Sequence, residues 1–349
     1  MRVVHHPGHG GHDPQVEFET SRAHSPFEHP GRAEAIRAAL AADPAFELLE
    51  ASSWGVDPID AVHVPGLRRF LETAWLEYQE VAGPTPEVVP DVFYRPSLRR
   101  AMTPAVEPES VLGRLGWWCF ETTTPLTRGT YDAARGAVDT ALTATSLVLG
   151  GDRHAYGLCR PPGHHATSTG YGGYCFFNNA AIAAHHVAST TGARVSVLDV
   201  DYHHGNGTQE IFYDRGDVQY VSLHGDPVRA YPYVTGFADE TGSGAGAGTN
   251  LNLPLPAGTD DDAFLAALAT AIEAIDAYGP SLLVVSLGLD TFATDPICDL
   301  AVTIEGFARC GAAVGALGLP TVVLQEGGYD VAALGEGARR WLHGLAGTP

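Results

Sequence analysis

The chain contains no lysine, since all 20 of its basic residues are arginine. That absence excludes whole classes of chemistry. Schiff-base aldolases, pyridoxal-phosphate enzymes and protein kinases all need a lysine amine, as does the Lys of a GxxxxGK[ST] phosphate loop. Cysteine is sparse too: Cys119, Cys159, Cys175, Cys298 and Cys310 are odd in number and form no CxxC pair. Neither a disulfide framework nor a structural zinc cluster is expected, and the thiols should be reduced and mostly buried. No apolar run approaches the roughly 18 residues of a membrane span, and the stretch from Met1 to Pro7 lacks a signal-peptide core. A cytoplasmic protein with no membrane partner is expected. Positive charge is also short, with a net charge of −21 that repels phosphate backbones and attracts cations. Nucleic acid is therefore not an expected partner.

What is present is an apolar content of 45% in 349 residues, enough for a sizeable core. Short β-branched runs alternate with Ala-rich segments of helical period. This is the pattern of an α/β protein, read here as a single domain over 1–349 whose mainly parallel sheet is flanked by helices. Strands are expected at Val195–Asp201, Val218–His224, Leu282–Leu287 and Thr321–Gln325. Helices are expected at Pro30–Ala42, Gly66–Glu80, Thr130–Leu149, Phe177–Thr190, Asp260–Ala277, Thr303–Leu317 and Val331–Leu345. The rhythm breaks between Gly83 and about Gly129, where seven prolines from Pro84 to Pro125 mark an irregular lid or binding loop inserted in the domain.

Four pieces could carry chemistry. In the first, an apolar strand runs into Asp199-Val200-Asp201-Tyr202-His203-His204-Gly205-Asn206-Gly207. Residues two apart share a strand face, so Asp199, Asp201 and His203 should line up at the carboxyl edge, where parallel sheets bind ligands. Two carboxylates and an imidazole suit a divalent transition metal in an open catalytic site, whereas any one of them alone reads as a strand-end acid or a surface histidine. The second is Asp290, which ends the apolar strand from Leu282. Alone it would be a helix cap or turn residue, but beside the first strand it adds a ligand. Third, Pro161-Pro162-Gly163 fixes an irregular backbone that can converge His164 and His165 for acid–base work near neutral pH. The other clustered histidines, His5, His6, His9, His12, His185 and His186, read as exposed. Fourth, Glu326-Gly327-Gly328-Tyr329 either aims a phenol at a developing oxyanion or is a Gly-Gly turn with a packed Tyr. The Gly-rich run 242–248 reads as a flexible turn, because no strand leads into it and no helix leads out.

Taken in order, Arg160 to His165, Gly173-Tyr174-Cys175-Phe176-Phe177-Asn178-Asn179, Asp199 to Gly207, Ser222-Leu223-His224, Gly288 to Thr291 and Glu326 to Tyr329 resemble a known family. It is the zinc-dependent histone-deacetylase-like amidohydrolases of the arginase/deacetylase superfamily, and among them the bacterial acetylpolyamine amidohydrolases. The resemblance implies Zn²⁺ (or Fe²⁺, Co²⁺ or Mn²⁺) held by Asp201, His203 and Asp290. It also implies a structural K⁺ bound by Asp199, Ser222 and carbonyls of Asp201, His203 and Leu223. His165 would be the general base and His164 its partner in protonating the leaving amine, oriented by Asn206 and Asp199 respectively. Tyr329 would share the oxyanion with the metal, Gly173, Tyr174 and Tyr231 would line the tunnel, and Arg32 would sit below the metal near acetate release. The expected substrate is a small cationic N-acetyl amine, processed by a homodimer built through the Pro-rich loop. The family also places glutamates at the tunnel mouth, at positions that are Leu112 and Thr123 here; Glu107, Glu109 or Glu121 could substitute. That departure leaves acetyl-lysine or a specialised-metabolite amide as the alternative substrate.

Overall fold

The central strands are apolar on both sides, and a different helical layer covers each side. The computed structural model describes residues 1–19, 21–95, 97 and 105–348; Pro96 and Pro104 of the Pro-rich stretch lie outside the described residues. Eight strands form one sheet: β1 Arg2–His5, β2 Glu47–Glu50, β3 His154–Leu158, β4 Val195–Asp199, β5 Val218–Gly225, β6 Asn250–Leu255, β7 Leu282–Leu287 and β8 Thr321–Gln325. Their spatial order is β6-β5-β4-β7-β8-β3-β1-β2, and every pairing is parallel. The chain leaves β4 toward β5 and β6, then returns on the other side at β7. Such reversals of strand order open a crevice at the carboxyl edge of the sheet.

Alternation along the strands assigns the two faces. Leu198, Leu283, Val285, Leu287 and Val323 point into one core with helices α1 Gly31–Ala41, α6 Asp261–Tyr278, α7 Ile304–Ala316 and α8 Val331–Ala346. Val195, Val197, Val284, Val322 and Leu324 point into another, beneath α4 Thr130–Leu149 and α5 Asn179–Thr191. Alanines at 137, 141 and 144 of α4 and at 180, 181, 183 and 184 of α5 let both helices lie close to the strands. A third apolar cluster joins α2 Pro65–Ala82 and α3 Val111–Trp118 to Tyr171, Phe176 and Phe177.

Three expectations need correction. The strand from Val195 stops at Asp199, so Asp201 and His203 lie in the loop beyond it. Their convergence comes from main-chain hydrogen bonds, with Asp201 N–H donating to Asp199 Oδ1 at 3.2 Å and His203 N–H to Asp201 Oδ1 at 2.8 Å. The segment 83–129 is not irregular throughout. It contains α3, capped by the Ser110 hydroxyl, and an antiparallel pairing of Glu87–Val88 with Leu126–Thr127. Finally, His9 and His12 are buried rather than exposed. His12 Nδ1 lies 2.9 Å from the Thr130 hydroxyl, and burial pushes its pKa down to about 4.

Candidate active site

Four adjacent strands deliver the chemistry-bearing side chains to one edge. Asp199 ends β4, Asp290 follows β7, Glu326 and Tyr329 follow β8, and His164 and His165 follow β3. The imidazoles sit with ring centroids 4.1 Å apart. His164 Nδ1 is 3.0 Å from Asp199 Oδ2, which also accepts the Tyr220 hydroxyl at 2.9 Å. His165 Nδ1 is 2.7 Å from Asn206 Oδ1, while the Asn206 amide donates to the His165 carbonyl at 3.3 Å. That second bond fixes which end of the Asn206 amide accepts, so Nδ1 of His165 carries the proton and Nε2 is its lone pair.

The two rings sit in opposite electrostatic environments. Burial opposes charge on His164, but the Asp201 and Asp199 carboxylates outweigh it and raise its pKa to about 10. Burial and the charges on His164 and His203 push His165 well below its ordinary range. One imidazole is thus set as a proton donor and its neighbour as an acceptor, the separation an acid–base pair requires.

Beside them His203 Nδ1 lies 3.3 Å from Asp201 Oδ1 and 3.1 Å from Asp290 Oδ2. All three residues are buried. Cys298 joins this cluster, since ligand atoms of His203, Asp290 and Cys298 lie within 4.8 Å of one another. Burial and the nearby Asp290, Asp295 and Asp201 keep its thiol protonated. Asp290 is raised to about 7 by burial and by Asp201. Close backbone approach completes the cradle: a Cβ on Gly327 would lie 2.3 Å from Asp290 Oδ2 and 2.6 Å from Asp201 Oδ2. Two buried carboxylates converging on one imidazole, with no arginine at ion-pair distance among the described residues, form a donor set that fits a divalent cation. For the expected potassium, Asp199 and Ser222 pair in register on β4 and β5.

Tyr329 forms part of the wall. Its main-chain N–H donates to Asp295 Oδ2 at 2.7 Å, and the Arg32 guanidinium lies 4.5 Å over its ring. Burial keeps the phenol protonated. Arg32 itself is buried beneath the site, donating to the carbonyls of Gly328 and Glu326 and to Glu28 Oε1. Glu28 also receives Arg160, which reaches on to the carbonyls of His9 and His12.

Above these groups opens a cleft of about 370 Å³ lined by His165, His203, Gly173, Tyr174, Tyr231, Tyr329, Glu121 and Thr123 among others. Gly173 has φ +58°, and a Cβ there would strike the His165 ring at 2.4 Å. The Tyr231 ring stands 4.9 Å from that of His165. Leu112 does not line the cleft; it lies on α3 and is 42% exposed. Glu107 and Glu109 border a separate groove, which leaves Glu121 as the expected acid that reaches the cleft.

Sequence reasoning gave no role to two acids. Glu17 is buried in the cleft wall, where Oε1 accepts the Tyr174 hydroxyl at 2.5 Å; nothing in its surroundings, Val16-Glu17-Phe18, marks it. Glu326 ties the His164–His165 loop to β8, accepting from Gly163 N–H at 2.6 Å and His164 N–H at 3.2 Å. Its signal was visible, as an acid directly after an apolar strand and before two glycines.

Residues 26–345 match the histone deacetylase domain family. The chain is 42% identical over 322 residues to acetylpolyamine amidohydrolase 2 of Pseudomonas aeruginosa, covering 92% of each. It is 40% identical over 347 residues to the acetylpolyamine amidohydrolase of Mycoplana ramosa, covering 99% of this chain and 100% of that one. The crystal structure of an acetylpolyamine aminohydrolase from Burkholderia pseudomallei matches with a TM-score of 0.92 at 40% identity, over 99% of this chain and 98% of that one. These likenesses span the four central strands together with the loops that carry the histidines, the carboxylates and Tyr329, and the chain therefore belongs to the histone-deacetylase-like amidohydrolases.

Proposed function

We propose that this enzyme hydrolyses the acetyl amide of a small cationic amine, an acetylpolyamine, releasing acetate and the free amine. The observation that carries the reading is the pairing of two oppositely tuned imidazoles with the Asp201, His203 and Asp290 cluster at the base of one cleft. The names of the full-length relatives support the substrate class.

Asp201, His203 and Asp290 would hold a zinc ion, which would supply Lewis acidity for the amide carbonyl and for the attacking water. With two carboxylates among its holders such an ion would acidify water less than one at a three-histidine site, and a base beside it would be needed. His165 fills this role, taking the proton on Nε2 while Asn206 holds Nδ1–H. As the carbonyl oxygen gains charge, the Tyr329 hydroxyl donates to it, a bond stronger in the transition state than in the ground state. The departing amine then needs a proton, and His164, oriented by Asp199, is the charged imidazole that can give it. Arg32 acts from below by holding the Tyr329 loop through two carbonyls, and in this reading also borders the path by which acetate leaves. A structural potassium between Asp199 and Ser222 would keep the carboxylate behind His164 ionised.

Glu17 and Glu121 supply carboxylates to the cleft wall at positions other than Leu112 and Thr123. The same reading includes a cytoplasmic homodimer joined through the Pro-rich segment. Val92, Val106, Leu112 and Phe120 support that contact, being apolar and at least 40% exposed there. No helix among the described residues is long and apolar enough to cross a membrane.

The test is acetate release from N-acetylputrescine, an acetyl-lysine peptide and N-acetyl amino acids, measured side by side. Turnover of the acetylated amine well above the others is expected. Preference for the peptide would replace the polyamine reading with a lysine deacylase.

A further inference from the structure

The acids that line the cleft and Arg229, the one arginine among its described lining residues, differ in exposure. Among the described lining residues Glu17 is buried and Glu121 half-buried, whereas the Arg229 side chain is 43% exposed. Glu121 is held by Thr123, Thr124 and the Gly173 N–H, all neutral donors that leave its charge intact. Arg229 instead donates from Nη1 to Asp299 Oδ2 at 2.8 Å. The other oxygen of Asp299 accepts the Tyr202 hydroxyl at 2.9 Å. Tyr202 lines the cleft, with its ring 4.9 Å from that of His203. Asp299 is thus fixed beside the mouth by a residue of the wall, with both oxygens engaged.

We propose that Arg229 masks Asp299 at the mouth and so makes the site selective for acetylated amines with a single free ammonium over longer ones with several. This rests on the acetylamine reading above and specifies its substrate. A lone ammonium close to the acetyl group stays within reach of the inner carboxylates. A second or third ammonium, further along the chain, arrives at the rim and meets a guanidinium where a bare carboxylate would otherwise attract it. Both partners are well exposed, so the discrimination is a solvent-screened effect of a few-fold.

The experiment compares kcat/KM for N-acetylputrescine, N1-acetylspermidine and N1-acetylspermine in the full-length enzyme and in Arg229→Gln. The ratio of acetylspermine to acetylputrescine should rise about two- to fivefold in the variant, and the rise should shrink in high salt. Adding Asp299→Asn to Arg229→Gln should return the ratio to the wild-type value, since the unmasked carboxylate is then gone. An unchanged ratio in Arg229→Gln, or a rise that survives in the double variant, overturns the rim assignment while leaving the deacetylase reading in place. No acetate from any of the three amines in the wild type overturns the deacetylase reading itself, and this one with it.

Discussion

Tyr329 is anchored by its main chain to Asp295 and by its ring against Arg32, and among the described residues its hydroxyl makes no hydrogen bond that the fold would lose. Tyr329→Phe should therefore fold normally and bind metal with unchanged stoichiometry, while kcat falls by about 10²-fold or more, the usual cost of losing one oxyanion donor. Atomic absorption on the same sample checks the metal, and near-wild-type turnover would remove the hydroxyl from the mechanism. The roles proposed for His164 and His165 also separate at this scale. His165 is among the residues lining the cleft, whereas His164 lies behind it with Nδ1 3.0 Å from Asp199 Oδ2 and Nε2 3.7 Å from Asp201 Oδ1.

At the scale of elements, His63 joins three pieces of chain. Its Nδ1 donates to the Thr167 carbonyl at 2.8 Å, and its Nε2 accepts the main-chain N–H of Asn178, the cap of α5, at 2.9 Å. Both nitrogens are committed to the neutral ring, and burial lowers its pKa to about 4. Between pH 4 and 6.5 the unfolded chain binds more protons at this site than the folded one, so stability falls as pH falls through that window. The loss at pH 5 is about 1–2 kcal/mol for this histidine. Urea midpoints at pH 7.5 and pH 5 should differ less in His63→Gln than in the wild type; an equal difference would place the acid sensitivity elsewhere. The same scale shows how far local pattern carries. Strands β7 and β8 and helix α4 lie where periodicity put them, because continuous β-branched runs and long Ala-rich faces each have one way to be buried. The sequence pattern carries the strand from Val195 two residues too far, to Asp201, since the loop's geometry depends on side-chain caps from Asp199 and Asp201 that have no period. The sequence leaves His9 and His12 looking exposed because their partners, Glu34, Thr130 and the Arg160–Glu28 pair, are all distant in the sequence. Glu17 escapes the local pattern for the same reason, since the Tyr174 hydroxyl that it accepts lies 157 positions away.

For the molecule as a whole, the sheet collects Asp199, Asp201, Asp290 and Glu326 in one buried place, countered by imidazoles rather than guanidinium groups. Glu326 is raised to about 7 by burial, a sign of how costly that density of charge is. A bound divalent cation would relieve it, and a ligand that binds only the folded state stabilises by mass action. Dialysis against a chelator should therefore lower the melting temperature by several degrees and abolish turnover, and stoichiometric Zn²⁺ should restore both. A melting temperature indifferent to the chelator would separate the acid cluster from metal binding. Beneath that cluster, Arg32 and Arg160 each spend all three guanidinium nitrogens on acceptors from different parts of the chain, a geometry that a single ammonium cannot reproduce. The exposed pair Arg309–Asp262 makes no such demand. Replacement of arginine by lysine is thus closed to drift at two positions and open on the surface. Each surface lysine introduced into this lysine-free chain would be a lone side-chain amine on an enzyme read as removing acetyl groups from amines, and its acetylation state in the cell would record whether the enzyme acts on its own copies.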